Sequence, residues 1–162
     1  MTPLAKARAL ALIVPLALLG GAYGFQYVWD DLWPCEMCWW QRWAHFAALP
    51  FAVAALLLAS RLRDKGRVLV WLAAFAIFVS GAIGFWHAGV ELKLLPGLTQ
   101  CTASLAGSAS DMLKDVFSRP LVRCDDVQWS WLGISMAGWN AILSILGALT
   151  ILWLSLRKPK AV

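Results

Sequence analysis

Four long stretches of the chain carry almost no charge, and they limit its fold more than any other feature. A helix that crosses roughly 30 Å of hydrocarbon needs about 20 mostly apolar residues, which is close to the length of each stretch. The second stretch is short unless its helix begins near residue 35, which brings Arg42 and a CxxC pair into the outer end. We therefore predict an all-α integral membrane protein, a bundle of four transmembrane helices at about 9–28, 35–59, 68–89 and 131–156.

The composition supports this class. Hydrophobic residues make up 61% of the chain and charged residues 14%, so the chain is more hydrophobic and less charged than a typical soluble globular protein. The 11 tryptophans fit a membrane protein, because indole rings favour the boundary between hydrocarbon and water. At 162 residues the chain is expected to form a single membrane domain over 1–162.

The distribution of basic residues predicts the orientation of the bundle. Cytoplasmic loops of membrane proteins carry an excess of Lys and Arg. We therefore expect both termini to be cytoplasmic, with outer loops at about 29–37 and 90–130. The net charge of +5 then reflects topology and not nucleic-acid binding. The segments assigned to the inner side contain one acid, Asp64, and nine of the 14 basic residues: Lys6, Arg8, Arg61, Arg63, Lys65, Arg67, Arg157, Lys158 and Lys160.

The second outer loop contains the one stretch with the character of a soluble segment. Over 108–117 the apolar residues recur at helical spacing, opposite two aspartates and a lysine. This pattern predicts a short amphipathic helix at the membrane surface.

All four cysteines fall on the predicted outer side, where disulfides persist if the inner side is cytosol. Four cysteines allow three pairings. We favour Cys35 with Cys38, because a CxxC dithiol closes locally, and Cys101 with Cys124, because these two share one loop. A structural staple and a zinc site remain alternatives, although the 23-residue separation of Cys101 and Cys124 is not the usual second half of a zinc motif.

The CxxC pair lies in a setting that favours thiolate chemistry. Thiolates are stabilised at helix N-termini and beside cations. If the second helix begins near Pro34, Cys35, Cys38 and Arg42 share one face. A charge at that depth is costly, so Arg42 either snorkels to the interface or stabilises negative charge on Cys38 or on a flat, lipid-soluble acceptor such as a quinone. Three tryptophans of this stretch could wall such a site or anchor the helix: Trp39, Trp40 and Trp43.

Two histidines lie within the predicted spans. His87 is at the outer end of the third span, with Glu91 four positions further on and on the same helical face. Ionisable residues in membrane segments are functional candidates, although a histidine near the interface is about as often structural. His45 lies deeper in the second span and is the weaker candidate.

These residues resemble the DsbB family of membrane proteins, which reoxidise the periplasmic thiol oxidase DsbA. The resemblance rests on four spans, on CEMCWWQR at the start of the second, on a cysteine pair in the second outer loop and on WLGISMAGW before the fourth. The stretch WHAGVELKLLPGLTQC also resembles the family's passage from the third span into the loop. The resemblance covers nearly the whole chain.

The resemblance implies a route for thiol exchange. The partner would be a periplasmic DsbA-like oxidase of thioredoxin fold, whose thiolate attacks Cys101 in a disulfide with Cys124. Cys124 would then attack Cys35 of the Cys35–Cys38 disulfide, and Cys38 would leave as a thiolate.

The resemblance also implies an electron acceptor in the membrane, ubiquinone or menaquinone, and no metal. Cys38 would face the bound quinone, Arg42 would stabilise the separated charges, and His87 would border the ring. The residue before Arg42 is Gln41, where the resemblance leads us to expect an acid.

Other functions stay open at this stage. A paralogue dedicated to one specialised oxidase has the same motifs. Vitamin K epoxide reductases also combine a helical bundle, a CxxC pair and loop cysteines, but there the CxxC lies in a late helix. A disulfide-stapled or zinc-holding scaffold predicts that a quinone leaves the thiols unchanged.

Overall fold

A computed structural model describes residues 2–29, 32–97 and 122–157. Cys101 and the predicted amphipathic helix at 108–117 lie outside the described residues. Within the described ranges the chain forms four α-helices, one π-helical turn and a two-stranded hairpin: α1 (Pro3–Gly24), the π-helix (Phe25–Trp29), α2 (Glu36–Leu57), α3 (Arg67–Glu91), β1 (Ser130–Trp131), β2 (Ile134–Ser135) and α4 (Met136–Leu156).

Three helical segments are long and apolar enough to cross a membrane: α1 with its π-helical extension, α3 and α4. Three such helices indicate a multi-pass membrane protein. With 22 residues α2 is as long as α1, but its first half carries Glu36, Gln41, Arg42 and His45. The prediction that α2 is a fourth span stays a prediction.

At the start of each of the four described α-helices a side chain accepts from a backbone N–H group. Thr2 accepts from the N–H of Ala5 at the start of α1, and Pro3 occupies the first helical turn. The carboxylate of Asp64 accepts from the N–H groups of Gly66 and Val68 before α3. These backbone hydrogen bonds, with Val68 first, lower the pKa of Asp64.

The fourth helix begins at Met136, five residues after the predicted start near Trp131. A tight hairpin occupies the difference, with Trp131 paired to Ile134. Both turn residues have positive φ, +53° at Leu132 and +76° at Gly133, which is the signature of a type I′ turn. The hairpin places Ser135 at the N-cap of α4, where the Ser135 hydroxyl accepts from the N–H of Gly138 at 3.1 Å.

Small residues let the helices pack closely, as is common in membrane bundles. On α3, a Cβ atom added at Gly84 would lie 2.9 Å from the carbonyl oxygen of Ala137 in α4. A Cβ atom added at Gly81 would lie 2.8 Å from the Ile145 side chain. The main core cluster is correspondingly rich in alanine: Ala7, Ala11, Ala48, Ala52, Ala55, Val70, Ala73, Ala74, Ile77, Ala148 and Ile151.

The two ends of the bundle differ in chemistry. At one end the guanidinium of Arg8 donates to the carbonyl oxygen of Lys65, which joins the start of α1 to the connection between α2 and α3. At the other end a second buried cluster contains Cys35, Cys124 and their apolar neighbours. The basic connection and the cysteines are therefore separated by the length of the helices.

Candidate redox site

The CxxC pair forms the N-terminus of α2. Cys35 is the N-cap residue, and its sulfur accepts from the backbone N–H of Cys38 at 3.3 Å. The two sulfur atoms are 3.0 Å apart as thiols, and Cys35 is buried. A small movement would bring them within the short S–S bond of a disulfide. The predicted Cys35–Cys38 disulfide stays a prediction.

Cys124 joins this pair from the second loop. It is 2% exposed, packs in the same cluster as Cys35 and is hydrogen-bonded to the Cys35 sulfur. The next residue, Asp125, is bound by Arg123 and by the Nζ atom of Lys93 at 2.8 Å. These two cations, Arg123 first, hold the pKa of Asp125 well below its usual range. The predicted pairing of Cys101 with Cys124 is untested, because Cys101 lies outside the described residues.

Arg42 is buried one turn below Cys38. Its guanidinium donates to the side-chain oxygen of Gln26 and, at 3.4 Å, to the carbonyl oxygen of Ala22. Its Cζ atom lies 4.7 Å from the centre of the Tyr23 ring and 5.3 Å from that of Trp39, both within cation–π range. Gln26 belongs to the π-helical turn, a distortion that often occurs at functional sites.

Within the described residues Arg42 has no carboxylate partner. Its partners are amide and carbonyl oxygens and aromatic faces, so its positive charge is not neutralised. A buried cation of this kind favours negative charge nearby.

His87 projects from α3 toward the cysteines. Its Nε2 atom lies 3.6 Å from the Cys35 sulfur and 3.8 Å from Oε1 of Glu91, and the ring is also hydrogen-bonded to Cys38. Ser135 donates to Glu91 from the hairpin. The structure therefore brings His87 directly to the sulfur atoms.

A network of buried amides supports the site, and sequence reasoning missed it. The Nε2 atom of Gln41 lies 3.0 Å from Nδ1 of His87, and its Oε1 atom accepts from Asn140 at 2.8 Å. The Oδ1 atom of Asn140 in turn lies 3.0 Å from Nε2 of His45. Glutamine and asparagine inside apolar helices were an available signal, because buried polar groups must find partners.

A cavity of about 500 Å³ opens beside these residues. Its wall is mostly apolar, which suits a lipid-soluble ring, and Arg42, His87 and Gln41 are among the polar groups in the wall that could orient one. The three tryptophans suggested by the sequence, Trp39, Trp40 and Trp43, do not line this cavity; its tryptophans are Trp33, Trp129, Trp131 and Trp139. The other residues in the wall include Leu18, Phe25, Cys35, Cys38, Gln41, Arg42, His45, His87, Glu91, Met136, Asn140 and Leu143.

Three residues of this site could also hold a metal ion. One ligand atom from each of Cys35, Cys38 and His87 lies within 4.8 Å of the others. Thiolate and imidazole ligands suit zinc. The distances alone therefore do not separate a redox dithiol from a zinc site.

Apolar helices of membrane length, together with a dithiol that is flanked by a cation and a histidine, indicate a multi-pass membrane protein with a thiol site. The family model described as "Disulfide bond formation protein DsbB" matches residues 5–154, and the chain belongs to this family. The predicted resemblance is thus confirmed. Membership implies an oxidoreductase of membrane disulfide-bond formation.

One curated relative extends over most of the chain. An uncharacterized protein of Rickettsia prowazekii (strain Madrid E) is 26% identical over 152 residues, which covers 91% of this chain and 85% of the relative. No solved structure matches the chain.

Proposed function

We propose that this protein is a thiol:quinone oxidoreductase that reoxidises a periplasmic DsbA-like oxidase and passes two electrons to a membrane quinone. The observation that carries the proposal is the position of Cys38, Arg42 and His87 in the wall of one largely apolar cavity. Cys35 lies in the same wall and is hydrogen-bonded to Cys124.

The proposed setting is the bacterial inner membrane, with α2 as the fourth span and both termini in the cytoplasm. The basic residues at the Arg8–Lys65 end support this orientation through the positive-inside rule. The cysteines then lie on the periplasmic side, where their disulfides are stable.

Electrons enter through thiol–disulfide exchange, in which each attacking thiolate displaces another. The thiolate of the reduced partner attacks Cys101, the Cys101–Cys124 bond breaks, and Cys124 leaves as a thiolate. The partner's second thiol then displaces Cys101 and releases the partner oxidised. The hydrogen bond between Cys124 and Cys35 supports the next step. Cys124 attacks Cys35, the Cys35–Cys38 bond breaks, and Cys38 leaves as a thiolate.

Cys101 closes the cycle by displacing Cys35 from Cys124, which restores the Cys101–Cys124 disulfide and leaves Cys35 and Cys38 as a dithiol. A quinone bound in the cavity supplies an acceptor for the two electrons and two protons of this dithiol. Ordinary structural disulfides have potentials below about −300 mV and could not oxidise a strongly oxidising partner, so an acceptor outside the thiol pool is required.

The side chains around Cys38 have separate tasks in this proposal. Arg42 stabilises the Cys38 thiolate and the negative charge that develops on the acceptor. The Gln26 oxygen holds the guanidinium in the cavity wall. The apolar wall excludes water from the thiolate, which strengthens its attraction to Arg42.

The test mixes purified protein with reduced DsbA-like oxidase and a quinone and follows quinone absorbance. The intact protein is expected to reduce the quinone in proportion to the oxidase consumed. Cys101→Ser should abolish both capture of the oxidase and quinone reduction. Cys38→Ser should oxidise one equivalent of the oxidase through the Cys101–Cys124 disulfide, then stop, and leave the quinone oxidised. An intact protein that leaves the quinone oxidised would falsify the proposal.

The same assay separates the alternatives. A paralogue dedicated to one oxidase reduces quinone with its own partner and much more slowly with a general DsbA-like oxidase. A zinc-holding scaffold, which the clustering of Cys35, Cys38 and His87 brings into consideration, reduces no quinone with either.

A further inference from the structure

We propose that Gln41 is a positioning residue of the redox site: together with Asn140 it fixes the neutral His87 ring with its proton on Nε2, the atom that faces the cysteine sulfurs. The role of this proton in turnover rests on the proposed function. The position of the proton does not, and it can be measured separately.

The first step is the orientation of the Gln41 amide. One atom of this amide lies 3.1 Å from the carbonyl oxygen of Met37 and 3.0 Å from Nδ1 of His87. A backbone carbonyl only accepts hydrogen bonds, so the atom beside Met37 must be the amide nitrogen. Its two hydrogens serve Met37 and His87.

The second step is the orientation of the Asn140 amide, which fixes the other side of Gln41. One atom of Asn140 lies 3.2 Å from the carbonyl oxygen of Ser80 and 2.8 Å from Oε1 of Gln41. The Ser80 carbonyl again accepts only, so this atom is the nitrogen. Reversing Gln41 would place two NH₂ groups against each other and two carbonyl oxygens against each other. Two backbone carbonyls thus determine both amides, independently of how hydrogens are assigned.

The third step concerns the ring of His87. Because Gln41 donates to Nδ1, that atom must present its lone pair, and the neutral ring carries its proton on Nε2. The Nε2 atom is 3.6 Å from the Cys35 sulfur and is flanked by Glu91. A donor at this place stabilises a thiolate released when the Cys35–Cys38 bond breaks.

The same proton excludes His87 as a metal ligand. A histidine that binds metal through Nε2 uses that lone pair and donates from Nδ1 to an acceptor. Gln41 offers Nδ1 a donor, and turning the amide would break its bonds to Met37 and Asn140. The geometry thus separates a redox dithiol from the zinc site that the spacing of Cys35, Cys38 and His87 otherwise suggests.

The direct test is ¹⁵N-histidine NMR on the full chain in lipid. The chain has two histidines, so comparison with His45→Leu assigns the His87 signals. In the intact protein the neutral His87 ring should carry its proton on Nε2. The inference is wrong if the proton is found on Nδ1. This measurement needs neither a partner nor a quinone, so its outcome is distinct from a failure of the proposed function.

A second test asks whether one substitution turns the site into a metal-binding site. Gln41→Glu supplies an acceptor for Nδ1–H and should release Nε2 for metal binding. The affinity of the reduced variant for Zn²⁺ should rise about 10- to 100-fold over the intact protein, the range by which such supporting contacts act. In a His87→Ala background the same substitution should change nothing. Equal Zn²⁺ affinity with and without Gln41→Glu would contradict the inference.

A third measurement separates positioning from support of the fold. Gln41→Leu removes the donor to His87 and should lower kcat for quinone reduction while leaving capture of the oxidase and KM for quinone unchanged. The conservative variant Gln41→Asn is too short to reach Nδ1 and should behave like Gln41→Leu. A variant that loses capture and kcat together would assign Gln41 to folding alone.

Discussion

Replacing Arg42 by glutamine is expected to slow quinone reduction by about 30- to 150-fold. The substitution keeps a polar side chain of similar length and can still pair with Gln26, but it removes the positive charge. Because Arg42 is 6% exposed and has no carboxylate partner within the described residues, little of its charge is screened.

The magnitude follows from the position of Arg42 on α2. The Cβ atoms of residues four apart on one helical face, as Cys38 and Arg42 are, lie about 6 Å from each other, and we take this as the separation of thiolate and guanidinium. Two unit charges at about 6 Å attract by about 2 to 3 kcal/mol at an effective dielectric constant of about 20. Each 1.36 kcal/mol is about a factor of ten in rate, which gives the range stated above.

The assay measures two steps separately. Capture of the reduced oxidase is followed as a mixed disulfide, and electron transfer is followed by quinone absorbance at saturating oxidase. Arg42→Gln should leave capture unchanged and lower the quinone step. Arg42→Lys keeps the charge and should lose less than Arg42→Gln. Arg63→Gln, an exposed arginine at the opposite end of the bundle, is the matched control and should change neither step.

Two results would refute this reasoning. Equal losses in capture and in quinone reduction would assign Arg42 to folding. Equal rates for Arg42→Gln and Arg42→Lys would show that hydrogen bonding, and not charge, is what the site requires.

Three further predictions concern the scaffold. Gly84→Ala should destabilise the fold by about 1 to 3 kcal/mol through overpacking against α4 and so lower the unfolding temperature. Gly21→Ala, whose added Cβ meets no atom within 4 Å, should leave the unfolding temperature unchanged. Leu132→Gly should raise the unfolding temperature, because a left-handed residue with a Cβ atom costs about 1 kcal/mol in the folded hairpin. Asp125→Asn should lower the unfolding temperature at neutral pH. The folded pKa of Asp125 is depressed, so its contribution to stability is present above about pH 4 and is lost as the pH falls toward the folded pKa. The difference in unfolding temperature between Asp125→Asn and the intact protein, followed by tryptophan fluorescence, should therefore shrink in acid.

Much of the fold follows from local features of the sequence. Apolar runs of membrane length predict α1, α3 and α4, and the Pro34–Cys35 step predicts the start of α2 within a residue. The start of α4 was placed five residues early, because the apolar residues of the hairpin extend the hydrophobic run and hide the type I′ turn at Leu132. The π-helical turn at the end of α1 has no signal in hydrophobicity, since it changes the register of a helix and not its composition.

The candidate site was predictable in residue type and not in contacts. The cysteines and Arg42 follow from spacing, because helical geometry places i, i+3 and i+7 together. Gln26, Gln41 and Asn140 lie on three different helices, and their partners depend on the rotation of each helix about its axis. A single sequence does not contain that rotation, so buried amides signal that partners exist without naming them.

The Gln41 amide lies between His87, to which it is hydrogen-bonded, and Arg42, which follows it on α2. The family resemblance led us to expect an acid before Arg42, and an acid there would act on both neighbours. A carboxylate would accept from Nδ1 of His87, which moves the proton away from the sulfurs and makes the ring competent to bind metal. It would also place a negative charge one residue from Arg42, the cation that we propose stabilises the Cys38 thiolate. A neutral donor at position 41 avoids both effects, so the roles that we propose for the His87 proton and for the Arg42 charge are compatible with each other.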